Sequence, residues 1–204
     1  MKKIIPVLIL LVSFTACNEE PSKLPILGRK DIQGTDTTFH QIPDFTFMDQ
    51  DSNLVSNSDL SEYIYVSDFF FTSCPSICPI VKKQMLRIYK KYENNPKVKL
   101  VSHTIDPKRD TPEKLKAYSS ALDVENSKWM FLTGSKDSLL DIANDYFVAA
   151  FEDPEAPGGF DHSGKIILVD TKRHIRSFAE GTEAKEVDRL LKDIDNLLKE
   201  YESN

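Results

Sequence analysis

Two cysteines and one histidine are the residues of this chain whose types and spacing could do metal chemistry. Cys74 and Cys78 form a C-P-S-I-C-P segment directly after a long apolar run, and His162 lies in a D-H-S-G segment before a second apolar run. Two thiols and one imidazole can form a trigonal site. Thiolates are soft ligands, and together with an imidazole they suit copper, particularly Cu(I). The sequence therefore predicts that one copper ion, as Cu(I) or Cu(II) or both, binds to Cys74, Cys78 and His162.

The spacing of the two cysteines leaves a second use open. Thioredoxins carry C-x-x-C, whereas this chain carries C-x-x-x-C, which places the sulfurs about one helical turn apart. A disulfide is still possible there, and a helix N-terminus would lower the pKa of a thiol. Cys74 as attacking thiolate and Cys78 as resolving thiol would form a redox pair. A disulfide that only closed this short loop would stabilise the fold little.

Strands and helices alternate along the chain in a way that would position these residues. Alternating and continuous apolar patterns predict a small hairpin over 45–55, followed by strands and helices in turn. Such alternation, with a cysteine pair at a strand-to-helix turn, predicts an α/β, thioredoxin-like fold with a central mixed sheet flanked by helices and an N-terminal hairpin. The predicted strands cover 64–71, 98–105, 129–132, 165–170 and 174–178, and the predicted helices cover 77–92, 112–122, 136–147 and 183–201.

The first residues predict export from the cytoplasm. Residues 1–16 read as a signal peptide, because Lys2 and Lys3 precede a short apolar run that ends in F-T-A-C. The run is too short to span a bilayer, which needs about 20 apolar residues. The T-A-C sequence resembles a bacterial lipoprotein box and makes Cys17 the expected lipidation site, with ordinary cleavage nearby as the alternative. Lipid on Cys17 also accounts for the odd number of cysteines.

The rest of the chain divides into a tether and one domain. Residues 17–41 are polar, broken by prolines and without periodicity, which predicts a lipid anchor followed by a flexible tether. Residues 42–204 suffice for a single domain with a full core. The formal net charge is −6, and no basic cluster is interleaved with aromatic residues. This composition argues against nucleic acid as a partner.

Three segments of the chain together resemble the Sco/SenC family. They are F-F-F-T-S-C-P-S-I-C-P at 69–79, I-D-P-K-R-D-T-P-E at 105–113 and D-H-S at 161–163, in matching order and spacing over about residues 42–200. The resemblance implies a membrane-tethered, thioredoxin-like protein of the mitochondrial inner membrane or the bacterial envelope. It also implies copper binding and a part in building the dinuclear copper centre of cytochrome c oxidase subunit II. The family's two motif cysteines and its distal histidine fall on Cys74, Cys78 and His162.

The expected function is therefore that of an envelope copper metallochaperone. Its partners would be cytochrome c oxidase subunit II or another copper acceptor, a copper donor or a thiol–disulfide protein, and the membrane through a lipid anchor. Many family members keep an N-terminal transmembrane helix, so a lipidated Cys17 changes the tether and leaves the chemistry in place. The domain would lie on an extracytoplasmic face of a bacterial cell. A thiol–disulfide oxidoreductase that uses the same cysteines is the alternative, and a peroxidase is a distant third, so enzymatic activity stays open.

The other histidines have simpler interpretations. His103 lies within a predicted strand, where a buried histidine with a hydrogen-bond partner is expected. His40 falls in the predicted tether and His174 in a polar turn, so both are expected to face solvent.

Four charged residues have roles that the sequence leaves open. Asp68 lies in an apolar strand, where a carboxylate is costly unless it is paired, and it could modulate the cysteines. Asp161 could orient His162 as a hydrogen-bond acceptor or cap a turn. Asp106 and Arg109 belong to the family-like stretch and are expected to shape the loop near the site.

Overall fold

The computed structural model describes residues 23–34 and 36–202. Eleven strands lie in these residues: β1 to β11 are Lys30–Gln33, Asp36–Phe39, Thr46–Met48, Leu54–Ser56, Ile64–Phe70, Val98–Thr104, Trp129–Leu132, Ala150–Glu152, Phe160–His162, Lys165–Val169 and Ile175–Glu180. Helices α1 to α4 are Cys78–Tyr92, Pro112–Ala121, Lys136–Asp145 and Ala184–Glu202, and a short 3₁₀ helix covers Asn57–Leu60. No helix within the described residues is both long enough and apolar enough to cross a bilayer.

A five-stranded mixed sheet forms the centre of the domain. Its strand order is β11-β10-β5-β6-β7, in which β5, β6 and β7 are parallel and β10 and β11 are antiparallel to their neighbours. Every residue of β5 is buried, as the continuous apolar run predicts for a strand covered on both faces. Helix α4 packs against β11 and α1, and α2 packs against β7. This is the thioredoxin-like arrangement that the sequence predicts.

The predicted elements of the sheet and its helices are all present, with ends that differ by at most two residues. Helix α3 ends at Asp145, earlier than predicted, because Phe147 adopts a left-handed backbone with φ of 56°. The amide of Val148 then donates to the carbonyl of Ala143, which is how helices commonly end. Three two-stranded hairpins, β1–β2, β3–β4 and β8–β9, surround the sheet, and the sequence predicted β3–β4 alone.

Residues 24–28 and 39–41 contact the domain, although the sequence predicted a flexible tether over 17–41. The backbone amide of Leu27 donates to the carbonyl of Ile175 at 2.8 Å. Arg176 is buried and donates to the carbonyl of Leu24 at 2.6 Å and to Glu200 at 2.8 Å. Backbone groups of Leu24 and Leu27 are thus bonded to distant residues of the domain, a pairing that local composition cannot reveal. Residues 17–22, with Cys17, lie outside the described residues.

The expectation that His174 faces solvent is wrong, and His40 is half-buried. His40 Nε2 lies 2.8 Å from the carbonyl oxygen of Asp145, and its ring lies 4.8 Å from that of Phe147. His174 is buried, with Nδ1 3.5 Å from Asp170 Oδ2. Phe39 and Gln41 contact the ring of His174 and help to cover it.

His103 is buried in β6, as predicted for a strand histidine. Its Nδ1 lies 3.2 Å from Ser67 Oγ, and aromatic rings enclose it, with Phe69 stacked at 4.9 Å. Complete burial without a charged partner lowers the pKa of His103 to about 3. The side chain is therefore neutral at physiological pH.

The low pKa of His103 predicts a specific acid sensitivity. Between about pH 6.5, the ordinary histidine pKa, and about pH 3, the unfolded chain binds a proton at this position that the folded chain does not. Stability therefore falls as the pH falls through this window, by up to about 1.4 kcal/mol per pH unit. In urea unfolding followed from pH 7 to pH 4.5, His103→Leu should lose less stability than the wild type. Identical pH dependence in the two proteins would contradict the assignment.

Candidate metal centre

Both cysteines are placed by the connection from β5 to α1, residues 71–78, here called the cysteine turn. The amide of Cys74 donates to the carbonyl of Phe71 at 3.2 Å, which closes the first part of the turn. Cys78 is the first residue of α1, and Pro79 follows it in the first helical turn, where proline is tolerated. Both thiols are free and buried, with 8% of Cys74 and 5% of Cys78 exposed.

His162 is placed by the β8–β9 hairpin, in which it pairs with Ala150. The turn of this hairpin contains Gly158 and Gly159 at φ of 89° and 90°, a conformation that favours glycine. His162 is buried and already points at the thiols.

The structure brings the three predicted ligands together. His162 Nε2 lies 3.3 Å from Cys78 Sγ and 3.9 Å from Cys74 Sγ, and the three ligand atoms all lie within 4.8 Å of one another. His162 Nδ1 lies 3.2 Å from the carbonyl oxygen of Ser163. That contact orients the ring so that Nε2 is the nitrogen that faces the two sulfurs and would be offered to a metal. Within the described residues this is the one group of three or more metal-ligating side chains.

Aromatic rings form the wall behind the three ligands. Phe71 lies edge-on to the imidazole of His162 at 5.6 Å, and Phe160 lies 5.4 Å from Phe71. Gly158 approaches the same ring so closely that a Cβ there would lie 2.6 Å from Phe71 Cε2. An apolar wall with a soft donor set and no carboxylate among the three ligands fits a soft metal such as Cu(I).

The two thiols differ in acidity. Burial opposes ionisation of Cys74, but hydrogen bonds from His162 and Ser76 outweigh it and bring the pKa of Cys74 to about 6. Burial raises the pKa of Cys78 well above its usual range, and the adjacent Cys74 adds to the effect. At neutral pH the metal-free pair therefore holds one thiolate, on Cys74, and one thiol, on Cys78.

Asp110 is a residue of the site that sequence reasoning missed. Its carboxylate is completely buried and accepts hydrogen bonds from the amide and hydroxyl of Thr72, the amide at 3.0 Å, and from Thr104 Oγ1 at 2.6 Å. It thereby holds the start of the cysteine turn. In the sequence Asp110 looks like part of a helix cap, whereas Thr111 caps α2 by accepting from Lys114. Thr72 lies 38 residues before Asp110 in the sequence, and Thr104 is the last residue of β6. Neither contact can be read from the local sequence around Asp110.

The other charged candidates lie around the ligands and are not among them. Asp161 is exposed, and the contact to His162 Nδ1 comes from the carbonyl of Ser163 instead. Asp68 is buried and pairs with Lys82 at 3.1 Å, so the pairing that the sequence required is present.

Asp106 and Arg109 form an ion pair beside the site, and Arg109 also donates to the carbonyl of Gly158 at 2.7 Å. These contacts shape the loop near the ligands, as expected.

The difference between the thiols predicts their order of alkylation. In the reduced, metal-free protein, iodoacetamide should modify Cys74 faster than Cys78, because Cys74 is the more ionised and the more exposed. The Cys74 rate should rise with pH and level off above its pKa of about 6, since the thiolate is the nucleophile. Peptide mass spectrometry follows each cysteine separately, including Cys17. Equal rates, or a Cys74 rate that still rises through about pH 8.5, the ordinary thiol pKa, would contradict this assignment.

Comparison with known proteins identifies the family. A family model described as SCO1/SenC matches residues 33–199. A SCO1/SenC family lipoprotein from Bacillus anthracis is 28% identical with a TM-score of 0.70, over 78% of this chain and 95% of that chain. BsSco, described as a cytochrome c oxidase assembly protein with a disulfide switch, is 29% identical with a TM-score of 0.68, over 78% of this chain and 93% of that chain.

A solved structure with metal is also similar. Arabidopsis thaliana ScoI, solved with copper bound, is 26% identical with a TM-score of 0.62, over 75% of this chain and 97% of that chain. The family model spans the cysteine turn, the hairpin that carries His162 and the whole central sheet. The chain therefore belongs to the SCO1/SenC family.

Proposed function

We propose that this protein binds one copper ion through Cys74, Cys78 and His162 and delivers it during assembly of the copper centre of cytochrome c oxidase. The observation that carries the proposal is the meeting of two sulfurs and one imidazole nitrogen within 4.8 Å of one another, on three buried residues. This donor set suits Cu(I). The relatives described as copper-bound and as oxidase assembly proteins support the choice of metal and of process.

The residues around the ligands suit a metal that is cargo. Three protein ligands leave a coordination position for a group of the acceptor, so copper can pass from one protein to another without being released. Cys74 enters the reaction already ionised near neutral pH, whereas Cys78 must lose a proton as copper binds. The rim next to the ligands, Pro75, Ser76 and Pro79, is exposed and uncharged. A partner can therefore approach without separating ion pairs.

The proposed partner is cytochrome c oxidase subunit II or another copper acceptor in the cell envelope. A lipid on Cys17 would hold the protein to a membrane with the domain on the extracytoplasmic side. The T-A-C sequence at the end of a short apolar run supports this anchor, as does the description of the Bacillus anthracis relative as a lipoprotein.

Thiol–disulfide exchange is a second candidate, and the unequal thiols favour it. The Cys74 thiolate would attack a partner disulfide, form a mixed disulfide and release one partner thiolate. Cys78 would then lose its proton and attack Cys74 Sγ, which forms the Cys74–Cys78 disulfide and releases the second partner thiol. The partner disulfide is reduced and the pair is oxidised. Such a reaction could prepare the cysteines of an acceptor for copper.

Copper titration of the full-length, reduced protein in detergent, without oxygen, tests the site. The wild type should bind about one Cu(I), and Cys74→Ser and Cys78→Ser should each abolish tight binding. His162→Ala should weaken binding at least about tenfold, because a buried ligand is lost, while thermal unfolding stays cooperative. His40→Ala, which removes a histidine that bonds to Asp145, is the matched control and should bind like the wild type. Unchanged affinity in His162→Ala would remove His162 from the site.

The same variants separate the two candidate functions in cells. If copper delivery dominates, His162→Ala should impair oxidase assembly as the cysteine variants do. If thiol exchange dominates, His162→Ala should be nearly silent, because the imidazole forms no disulfide. Full oxidase activity in the His162→Ala strain would reject copper delivery through this site.

The anchor has its own test, because Cys17 is not one of the proposed ligands. Cys17→Ser should move the protein from the membrane fraction to the soluble or unprocessed pool, since several acyl chains, at about 0.8 kcal/mol per buried CH₂, bind a bilayer firmly. Cell fractionation with immunoblotting measures this, and copper stoichiometry should not change. Retention of Cys17→Ser in the membrane, or altered stoichiometry, would contradict the lipoprotein assignment.

A further inference from the structure

The two halves of the candidate metal centre come from elements that are not hydrogen-bonded neighbours in the sheet. The cysteine turn follows β5, whereas His162 lies on the separate, two-stranded β8–β9 hairpin. Each strand of this hairpin has three residues, and an isolated hairpin is marginally stable in water. The position of His162 therefore depends on contacts that attach the hairpin to the rest of the domain.

A third segment, residues 105–110, lies between these halves and is here called the bridging loop. It follows β6, which is parallel to β5, so the bridging loop and the cysteine turn leave the same edge of the sheet. The two are joined where they start, because the amide of Ile105 donates to the carbonyl of Phe70 at 2.9 Å. Asp110 at the end of the loop accepts from the amide of Thr72 at 3.0 Å. The bridging loop is thus fixed to the cysteine side.

Arg109 joins the same loop to the histidine side. Its Nη2 donates to the carbonyl oxygen of Gly158 at 2.7 Å, in the turn of the hairpin. Its guanidinium lies over the ring of Phe160 at 6.0 Å. Phe160 and His162 lie two residues apart on β9 and are both buried, with the exposed Asp161 between them. Because alternate residues of a strand share a face, contacts that fix Phe160 also fix the side on which His162 projects.

Contacts within the bridging loop orient the Arg109 side chain toward the hairpin. Asp106 accepts from Arg109 Nε through its carboxylate, and the backbone carbonyl of Asp106 accepts from the amides of Arg109 and Asp110 at 3.1 and 2.9 Å. Thr104 Oγ1 accepts from the amide of Asp106 at 3.0 Å. One nitrogen of the guanidinium is therefore held by Asp106, which leaves another directed at Gly158. Two contacts in different directions from one planar group require arginine.

We propose that Arg109 is a positioning residue that holds the β8–β9 hairpin so that His162 Nε2 faces Cys74 and Cys78. The effect on copper rests on the function proposed above, whereas the effect on the hairpin does not. Among the described residues, the hairpin makes one ion pair to the rest of the domain, Lys136–Glu152, at its β8 strand. Both of those side chains are exposed, and exposed pairs contribute little. Arg109 is itself about half exposed, but it is held by Asp106, whose side chain is buried.

Replacement of Arg109 by glutamine tests the proposal, with Lys108→Gln as the matched control. Lys108 is the adjacent, exposed residue of the bridging loop, and the two changes alter the net charge equally. In the full-length, reduced protein, Arg109→Gln should weaken Cu(I) binding about tenfold, the scale of one hydrogen bond to a charged group. Lys108→Gln should leave affinity unchanged. Equal affinities in the two variants would overturn the positioning role.

A double-mutant cycle separates positioning from a general structural effect. If Arg109 acts through the imidazole, Arg109→Gln should cost no further affinity in a His162→Ala background. If Arg109 acts on the cysteine turn, the loss should be the same in both backgrounds, and the proposal would be rejected.

Hydrogen exchange in the metal-free protein provides a readout that needs no copper. Arg109→Gln should speed exchange of the hairpin amides at 150–162 relative to the wild type and Lys108→Gln, while exchange in β5 stays unchanged. Unchanged exchange in the hairpin would overturn the proposal even if copper binding fell. If the wild type bound no copper, the proposed function would fail, and faster exchange in Arg109→Gln would still support the positioning role.

The Arg109→Lys variant shows whether the positioning role needs the planar guanidinium or only a positive charge. A lysine Nζ cannot occupy the positions of Arg109 Nε and Nη2 at once, so this variant should resemble Arg109→Gln in exchange and in affinity. Wild-type behaviour of Arg109→Lys would show that a positive charge suffices, and the proposed two-way contact would be wrong.

Discussion

The approach of one imidazole nitrogen to two thiol sulfurs is the constraint on which the site depends. His162 Nε2 lies 3.3 and 3.9 Å from the sulfurs of Cys78 and Cys74, although the histidine comes from a hairpin far along the chain. Burial of two thiols and an imidazole lowers the dielectric around them and makes each hydrogen bond among them stronger. The contact that lowers the pKa of Cys74 is therefore also the contact that assembles a metal-binding donor set.

The fold meets this constraint by using one edge of the central sheet. Parallel strands β5 and β6 end side by side there, so the cysteine turn and residues 105–110 emerge together. Hydrogen bonds to the buried Asp110 hold the cysteine turn. Arg109, in the neighbouring segment, bonds to the β8–β9 hairpin. Copper delivery and thiol exchange would use this same arrangement, because both need a thiolate on Cys74 and a second sulfur nearby.

Local patterns predicted the parts of the structure that local forces decide. The apolar run before Cys74 predicted β5, the pattern over 112–122 predicted α2, and the chemistry of Cys74, Cys78 and His162 predicted which residues meet. The parts that were missed depend on distant partners. Residues 24–27 read as part of a tether in the sequence, but in the fold they bond to Arg176 and β11. Asp110 reads as part of a helix cap, but in the fold it bonds to Thr72. The β8–β9 hairpin has short strands, and its position depends on contacts with Phe71 and Arg109. Local sequence patterns do not predict such contacts, because both residues are far from the hairpin in the sequence.

X-ray absorption at the copper edge of the reduced, Cu(I)-loaded protein tests the central claim most directly. Coordination by two sulfurs and one nitrogen, with loss of the nitrogen in His162→Ala, is the predicted result. Sulfur coordination alone in the wild type, or a spectrum that His162→Ala leaves unchanged, would contradict the assignment of this site to Cys74, Cys78 and His162.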